Sequence, residues 1–167
     1  MLEITGNIFN RQSWSCQPLT QEIALCITTN GIVKANGMAV MGAGVAKACR
    51  DRFPQTPVIL GQKLALIGNQ VHYLLTHDKT HILSFPTKHD WRHPSDMNLI
   101  VASARTLAEL ASLRLDCTFV LTCPGCGCGG LSWSSVKDTI LFLPDNCWII
   151  DLWSSCNLSS ISWLSTL

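Results

Sequence analysis

Charge is scarce in this chain: Asp, Glu, Lys and Arg make up 14% of its 167 residues, against 47% hydrophobic residues. So low a charge fraction excludes a disordered, self-repelling chain and implies a compact, well-buried fold. A basic excess is missing too, with Lys+Arg 12 against Asp+Glu 11 and a formal net charge of +1. Proteins that grip long stretches of duplex DNA neutralise phosphates with such an excess. Any nucleic-acid contact is therefore expected to be local, on the scale of one nucleotide. No stretch approaches the ~20 apolar residues of a membrane-spanning helix, so no membrane partner is expected. The start, Met1 to Asn7 (MLEITGN), has neither the basic nor the apolar region of a secretory signal, which makes a cytoplasmic protein the expectation. Internal repeats and proline- or serine-rich linkers are also absent before the tail. The length fits one domain, expected as a monomer.

Cysteine is the exception to this sparseness. The chain has nine, an odd number at irregular spacing. Without export they read as free thiols in a reducing compartment rather than as a disulfide framework.

Strand and helix patterns alternate. Leu2 to Thr5 is a short strand candidate, and Ile23 to Thr29 (IALCITT) reads as a strand buried on both faces. Turn signals follow at Asn30-Gly31 and Asn36-Gly37. A helical pattern runs from Ala43 to Phe53 and is stopped by Pro54. Strands are expected at Val71 to Thr76 and His81 to Phe85, then a helix capped by Ser95 or Asp96 and running to about Leu113. Leu99, Ala102, Leu107 and Leu110 lie near helical spacing on it. Thr118 to Cys123 reads as a strand, Ser132 to Leu143 as a helix and Cys147 to Asp151 as a last strand. The order predicts an α/β fold, three layers α/β/α around a mixed, largely parallel sheet. The domain is expected to span 1–151. The serine-rich tail, 152–167, fits no defensible element and is expected to be poorly ordered.

Two glycine-rich stretches each sit between a strand and a helix. The first is Asn36-Gly37-Met38-Ala39-Val40-Met41-Gly42-Ala43-Gly44-Val45-Ala46; the second is Pro124-Gly125-Cys126-Gly127-Cys128-Gly129-Gly130. Glycines admit positive φ and close approach to a ligand, and the unpaired N–H groups of the following helix attract an anion. Either loop alone reads equally well as a tight turn. Two at equivalent positions point to a diphosphate in one crevice at the carboxyl ends of the strands. The first loop lacks the Gly-Lys-Ser/Thr of a Walker A loop, and no clean Gly-x-Gly-x-x-Gly follows the first strand. Triphosphate hydrolysis and ordinary dinucleotide oxidoreduction are thus disfavoured.

With Gly6-Asn7-Ile8-Phe9, Ile27-Thr28-Thr29-Asn30-Gly31, Phe85-Pro86-Thr87-Lys88-His89-Asp90-Trp91 and Gly125 to Trp133, these motifs follow the order of a macrodomain. Over about residues 1 to 151 the chain resembles the lysine-dependent branch that holds terminal ADP-ribose glycohydrolases and DarG-type antitoxins. The resemblance implies ADP-ribose, free or on a modified macromolecule, as ligand, with local contact to ADP-ribosylated DNA and no cofactor.

Residue by residue, it places Asn7 and Ile8 at the adenine, where an acid is usual. The amide still accepts from an amine but lacks the charge that strengthens the bond; a plain turn asparagine is the alternative. Asn36 is expected near the distal ribose. Gly42, Ala43, Gly44 and Val45 supply backbone contacts from the first loop, and Gly125, Gly127, Cys128, Gly129 and Gly130 from the second. Lys88 matches the essential lysine proposed to act at the anomeric carbon; a surface lysine paired with Asp90 is the plain alternative. Where protein-directed relatives carry an assisting aspartate in the second loop, this chain has Gly129. That departure implies the DarG type, which acts on ADP-ribosylated thymidine. Thr29, Trp91 and Trp133 are secondary candidates at the pocket; for the two tryptophans, packing at element ends is the alternative.

Cys123-Pro124-Gly125-Cys126 contains a Cys-x-x-Cys, but no second pair stands at zinc spacing, and no metal is expected. Nor does any of the five histidines give a signature for a cysteine–histidine dyad. The open alternatives are a glycohydrolase using Lys88, a non-catalytic ADP-ribose reader, and a hydrolase of small derivatives such as O-acetyl-ADP-ribose or ADP-ribose 1″-phosphate.

Overall fold

The computed structural model describes residues 1–151 of the chain; the tail expectation, 152–167, lies outside the described residues. Six strands form one sheet: β1 (Leu2–Thr5), β2 (Glu22–Asn30), β3 (His72–His77), β4 (Thr80–Lys88), β5 (Cys117–Thr122) and β6 (Cys147–Asp151). Their spatial order is β1-β6-β5-β2-β4-β3. All neighbours run parallel except the β3–β4 hairpin, which turns through Asp78 and Lys79, both at positive φ. The helices are α1 (Gly44–Arg52), α2 (Thr56–Ile67), α3 (Met97–Leu113) and α4 (Trp133–Thr139).

The period of two along each strand divides the core into two halves. Ile23, Leu25 and Ile27 of β2 face one side, with Ala46 and Cys49 of α1 and Leu60 and Leu64 of α2. Ala24 and Cys26 face the other, with Ile100, Ala104 and Leu107 of α3 and Val136 of α4. Three layers result, as the alternation of elements predicts.

Three local readings change. Helix α2 was not anticipated: Pro54 does stop α1, but Pro57 stands in the first turn of the next helix, where its missing N–H costs nothing. The buried stripe of α3 is Ile100, Ser103, Ala104, Leu107 and Ala111 rather than the Leu99-Ala102-Leu107-Leu110 set, and Leu110 is exposed. Its N-cap is Asp96, whose side chain accepts from the N–H groups of Asn98 and Leu99. Helix α4 ends at Thr139 instead of Leu143.

Strand β4 runs beyond its expected end to Lys88. Past Ser84 it has no β3 neighbour, so Pro86 removes no hydrogen bond on that side. Against β2 the register shifts, Thr29 standing beside Pro86 but Asn30 beside Lys88. The extra residue is a bulge, a device that re-aims the side chains after it.

Candidate functional site

The carboxyl ends of β2, β4, β5 and β6 open into a cavity of about 650 Å³, lined at its floor by Thr29, Asn30, Thr87, Lys88, Thr122, Cys123 and Asp151. This is where a parallel sheet offers its binding crevice, and the volume suits a ligand of nucleotide size.

The first loop closes one wall. Val33 and Ala39 bridge, Lys34 N–H donates to Met38 O at 2.8 Å and Val40 N–H to Ile32 O at 2.9 Å, so residues 32 to 40 form a small hairpin. The hairpin lies on α2: Ala39 N–H donates to Pro57 O at 2.8 Å, and Gly61 leaves room for the Gly37 carbonyl. Asn30 braces it from below, its Nδ2 donating to Val40 O at 2.9 Å and its Oδ1 accepting from Ile32 N–H at 3.1 Å. Gly42, Ala43, Gly44 and Val45 then line the cavity as α1 begins. The cap residue Ala43 offers no side-chain acceptor, so the first N–H groups of α1 face this wall without protein partners. Gly44 has φ +53°, a conformation that side chains rarely adopt.

The second loop forms the opposite wall. Gly129 N–H donates to Cys126 O at 3.3 Å, Gly130 N–H to Gly127 O at 3.0 Å and Leu131 N–H to Gly125 O at 3.1 Å. Ser95 N–H ties the loop to the start of α3 by donating to Gly129 O at 2.9 Å. Ser95 fills the space beneath the loop: a Cβ at Gly129 would fall well inside contact distance of Ser95 Oγ. Thr29 (4% exposed) and Ser95 (8% exposed) both line the cavity. Their hydroxyl oxygens are buried without a hydrogen-bond partner among the described residues. Buried hydroxyls are normally satisfied; these two oxygens lie within the cavity wall, covered rather than open to it.

Lys88 reaches across the cavity and donates from Nζ to Cys128 O at 2.8 Å. Its backbone is pinned by Asn69 Nδ2, which donates to Lys88 O at 2.9 Å. The alternative pairing with Asp90 does not form. Asp90 is held by Arg92 through Nη2 at 2.7 Å and backbone N–H at 2.9 Å, and these bonds lower its pKa to about 2. Burial, with Asp151 nearby, pushes the Cys123 thiol up to about 12 and also raises that of Cys126. Both are thus protonated at neutral pH and poor nucleophiles. Among the described residues no group of three or more His, Cys, Asp or Glu is placed to hold a metal ion, and no helix is long and apolar enough to cross a membrane.

Gly125, Gly127, Cys128, Gly129, Thr29 and Trp91 line the cavity with Lys88, whereas Asn7, Ile8, Asn36, Gly130 and Trp133 stand outside its lining. Asn7 spends its Oδ1 on Phe9 N–H at 2.9 Å in a tight turn, and Ile8 is buried in the core. Asn36 is exposed at the hairpin tip, its Oδ1 accepting from Met38 N–H at 3.2 Å. Trp133 packs on the core and donates to Glu3 Oε2 at 3.1 Å. Sequence reasoning missed Asn30, Ser95 and Asp151. Asn30 had been read as a turn residue and Ser95 as a helix cap, and Asp151 only as a strand end.

No protein-family model matches the chain. The DNA ADP-ribosyl glycohydrolase of Thermus aquaticus is 31% identical over 112 residues, which cover 63% of this chain and 31% of that protein. The chain thus spans about a third of the length of the curated relatives it matches. The macrodomain of Thermus aquaticus DarG superposes with a TM-score of 0.66 at 25% identity, covering 91% of this chain and 97% of that one. For the macrodomain of Mycobacterium tuberculosis DarG the TM-score is 0.64 at 26% identity, over 84% and 96% of the two chains. The chain folds as a macrodomain resembling those of DarG.

Proposed function

We propose that this domain binds ADP-ribose in the cavity and hydrolyses its bond to a modified DNA base, with Lys88 as the catalytic residue. The carrying observation is Lys88 Nζ, held between two loops rich in glycine at the carboxyl end of a parallel sheet. The diphosphate takes the N-terminus of α1 (Gly42 to Val45) on one side and the backbone of Gly125, Gly127, Cys128 and Gly129 on the other. The distal ribose then points toward Lys88, beside the wall that Thr29 and Ser95 build. Asp151, level with Thr5 in the sheet and part of the lining, brings a carboxylate to the adenine end; Asn7, Ile8, Asn36, Gly130 and Trp133 contribute only through the turns and loops they hold in place.

In the reaction the bond between the anomeric carbon and the base breaks, water supplies a hydroxyl to that carbon, and the base takes the remaining proton. As a neutral amine Lys88 serves in one of two ways: it accepts a proton from the water, or it displaces the base to form a glycosylamine, whose ring C–O bond opens to give an imine and a sugar hydroxyl before water cleaves the imine. The hydrogen bond from Lys88 to Cys128 O occupies the amine before substrate arrives, so a ligand that displaces this contact frees it. The same contact favours the second reading, a reader in which the lysine only closes the pocket. The likeness of the fold and of the curated relatives to DarG supports DNA as the modified macromolecule, and the reading includes a monomeric cytoplasmic protein without metal or cofactor.

The test is calorimetric titration with ADP-ribose, followed by release assays on thymidine-linked and glutamate-linked ADP-ribose. Micromolar binding with release from the thymidine substrate is expected. Binding with no release from either leaves the reader, and no binding rejects the site.

A further inference from the structure

We infer that Trp91 is the stacking platform for the nucleobase on the leaving side of the scissile bond. The inference rests on the glycohydrolase reading above and extends it from the ADP-ribose to the strand that carries it. Trp91 lines the same cavity as Lys88, three residues further along the chain. Its side chain is 53% exposed, whereas the other described tryptophans are half-buried or buried. Those three also spend their indole N–H inside the protein: Trp14 on Asn7 O, Trp133 on Glu3 Oε2 and Trp148 on Asp145 O. No hydrogen bond is formed by the Trp91 indole among the described residues, so neither packing nor a polar anchor accounts for it. A large aromatic with an apolar face and an open N–H at a pocket mouth is suited to a planar, hydrogen-bonding partner.

The setting favours a base over a peptide side chain. The Arg92 guanidinium stands 5.7 Å from the centroid of the Trp91 ring and sets a cation beside the indole. Its partner Asp90 is tucked in at 16% side-chain exposure, while Arg92 is 62% exposed, so the rim presents the cation outward. His89 and His93 are exposed on the same turn. Aromatic stacking beside a cation that meets phosphate is the shared design of single-strand binding sites, whereas an acidic peptide would use the cation alone. The platform is also rigid before binding. Besides the Asp90–Arg92 bonds, His93 N–H donates to Asp90 O at 3.2 Å, and Gly31 N–H donates to His89 O at 3.1 Å.

The experiment compares wild type with Trp91→Ala, Trp91→Phe and Trp91→Leu on two substrates, a short single-stranded oligonucleotide carrying ADP-ribosylated thymidine and ADP-ribose 1″-phosphate, which has no nucleobase on its leaving side and is base-free in that sense. For Trp91→Ala, KM on the oligonucleotide is expected to rise by about tenfold or more, from the usual worth of one stacked base. The same variant should change KM on the base-free substrate, or the Kd of free ADP-ribose if that substrate is not turned over, far less. Trp91→Phe restores most of the loss and Trp91→Leu does not, which separates stacking from bulk. An equal loss on both substrates, full rescue by leucine, or an unchanged KM on the oligonucleotide overturns the platform. Greater dependence on Trp91 with a glutamate-linked peptide overturns the choice of a base. If wild type releases nothing from the oligonucleotide, the glycohydrolase reading itself fails, and that outcome is distinct from the others.

Discussion

Placing an aspartate at position 129 supplies the acid that related protein-directed enzymes carry in this loop, yet the surroundings of Gly129 predict loss rather than gain. Gly129 is buried, and a Cβ there would overlap Ser95 Oγ and lie 3.1 Å from Ser95 Cβ. Its φ is outside the left-handed region, so backbone strain adds nothing and the cost is steric. Overpacking a fitted site costs about 1–3 kcal/mol. The Ser95 N–H to Gly129 O bond at 2.9 Å is stretched or broken as the loop moves, a further ~1 kcal/mol. Gly129→Asp should therefore lose about 2–4 kcal/mol in urea unfolding and weaken ADP-ribose in calorimetry, because the displaced loop is the one proposed to hold the diphosphate. Ser95→Ala removes the obstructing hydroxyl. Alone it should be neutral or stabilising, since that hydroxyl is buried without a partner. Combined with Gly129→Asp it should recover about 1 kcal/mol or more as a coupling energy. An aspartate variant as stable and as tight-binding as wild type, or a double variant with no coupling, would refute the account of why this loop has glycine.

Further outcomes follow from the same geometry. Gly61→Ala reverses the usual helix preference: its Cβ would overlap the Gly37 carbonyl and lie 2.9 Å from the Ala39 nitrogen. Thermal unfolding should show a loss of about 1–3 kcal/mol in place of the ~1 kcal/mol gain that propensity alone predicts. The buried thiols make the fold sensitive to alkali. Burial raises Cys49 and Cys117 to about 11 and Cys147 to about 12, so between the ordinary thiol value of 9.0 and these values the unfolded chain loses protons that the folded chain keeps. Stability should be flat below about pH 8.5 and fall steadily above pH ~9; a Tm that holds to pH 11 contradicts the burial of these groups. Asp151→Asn should weaken ADP-ribose relative to an inosine analogue lacking the adenine amine, narrowing the difference between the two ligands in calorimetry by about 3- to 10-fold, the worth of a charged hydrogen bond.

Much of this molecule is legible in its sequence, for reasons that particular residues make clear. The run Ile23 to Thr29 and the alternation of strands with helices specify a sheet covered on both faces, and glycines at 42, 44, 125, 127, 129 and 130 stand out against that background. Helix α2 escaped because its start signal, Thr56-Pro57, follows so closely on Pro54 that both prolines read as breaks. The asparagine that reaches the cavity is Asn30 and not Asn36, because a hairpin docked on Gly61 lifts residue 36 to the surface. Ser95 reads locally as a helix-cap candidate and gives no signal of the pocket. Its place under Gly129 depends on a contact 34 positions away in the chain (129 − 95), and only the folded arrangement reveals a hydroxyl with nothing to bond. Lys88 was legible through the motif around it, while its contact to Cys128 O was not.

The central claim, that Lys88 performs the chemistry, is tested most directly by the rate of ADP-ribose release from an oligonucleotide bearing ADP-ribosylated thymidine, for wild type against Lys88→Ala, with the Kd for ADP-ribose measured on both. The account predicts that release falls by about a hundredfold or more, the scale of a lost acid–base or nucleophilic group, while Kd changes by less than about tenfold. Equal release rates from the two proteins would contradict it.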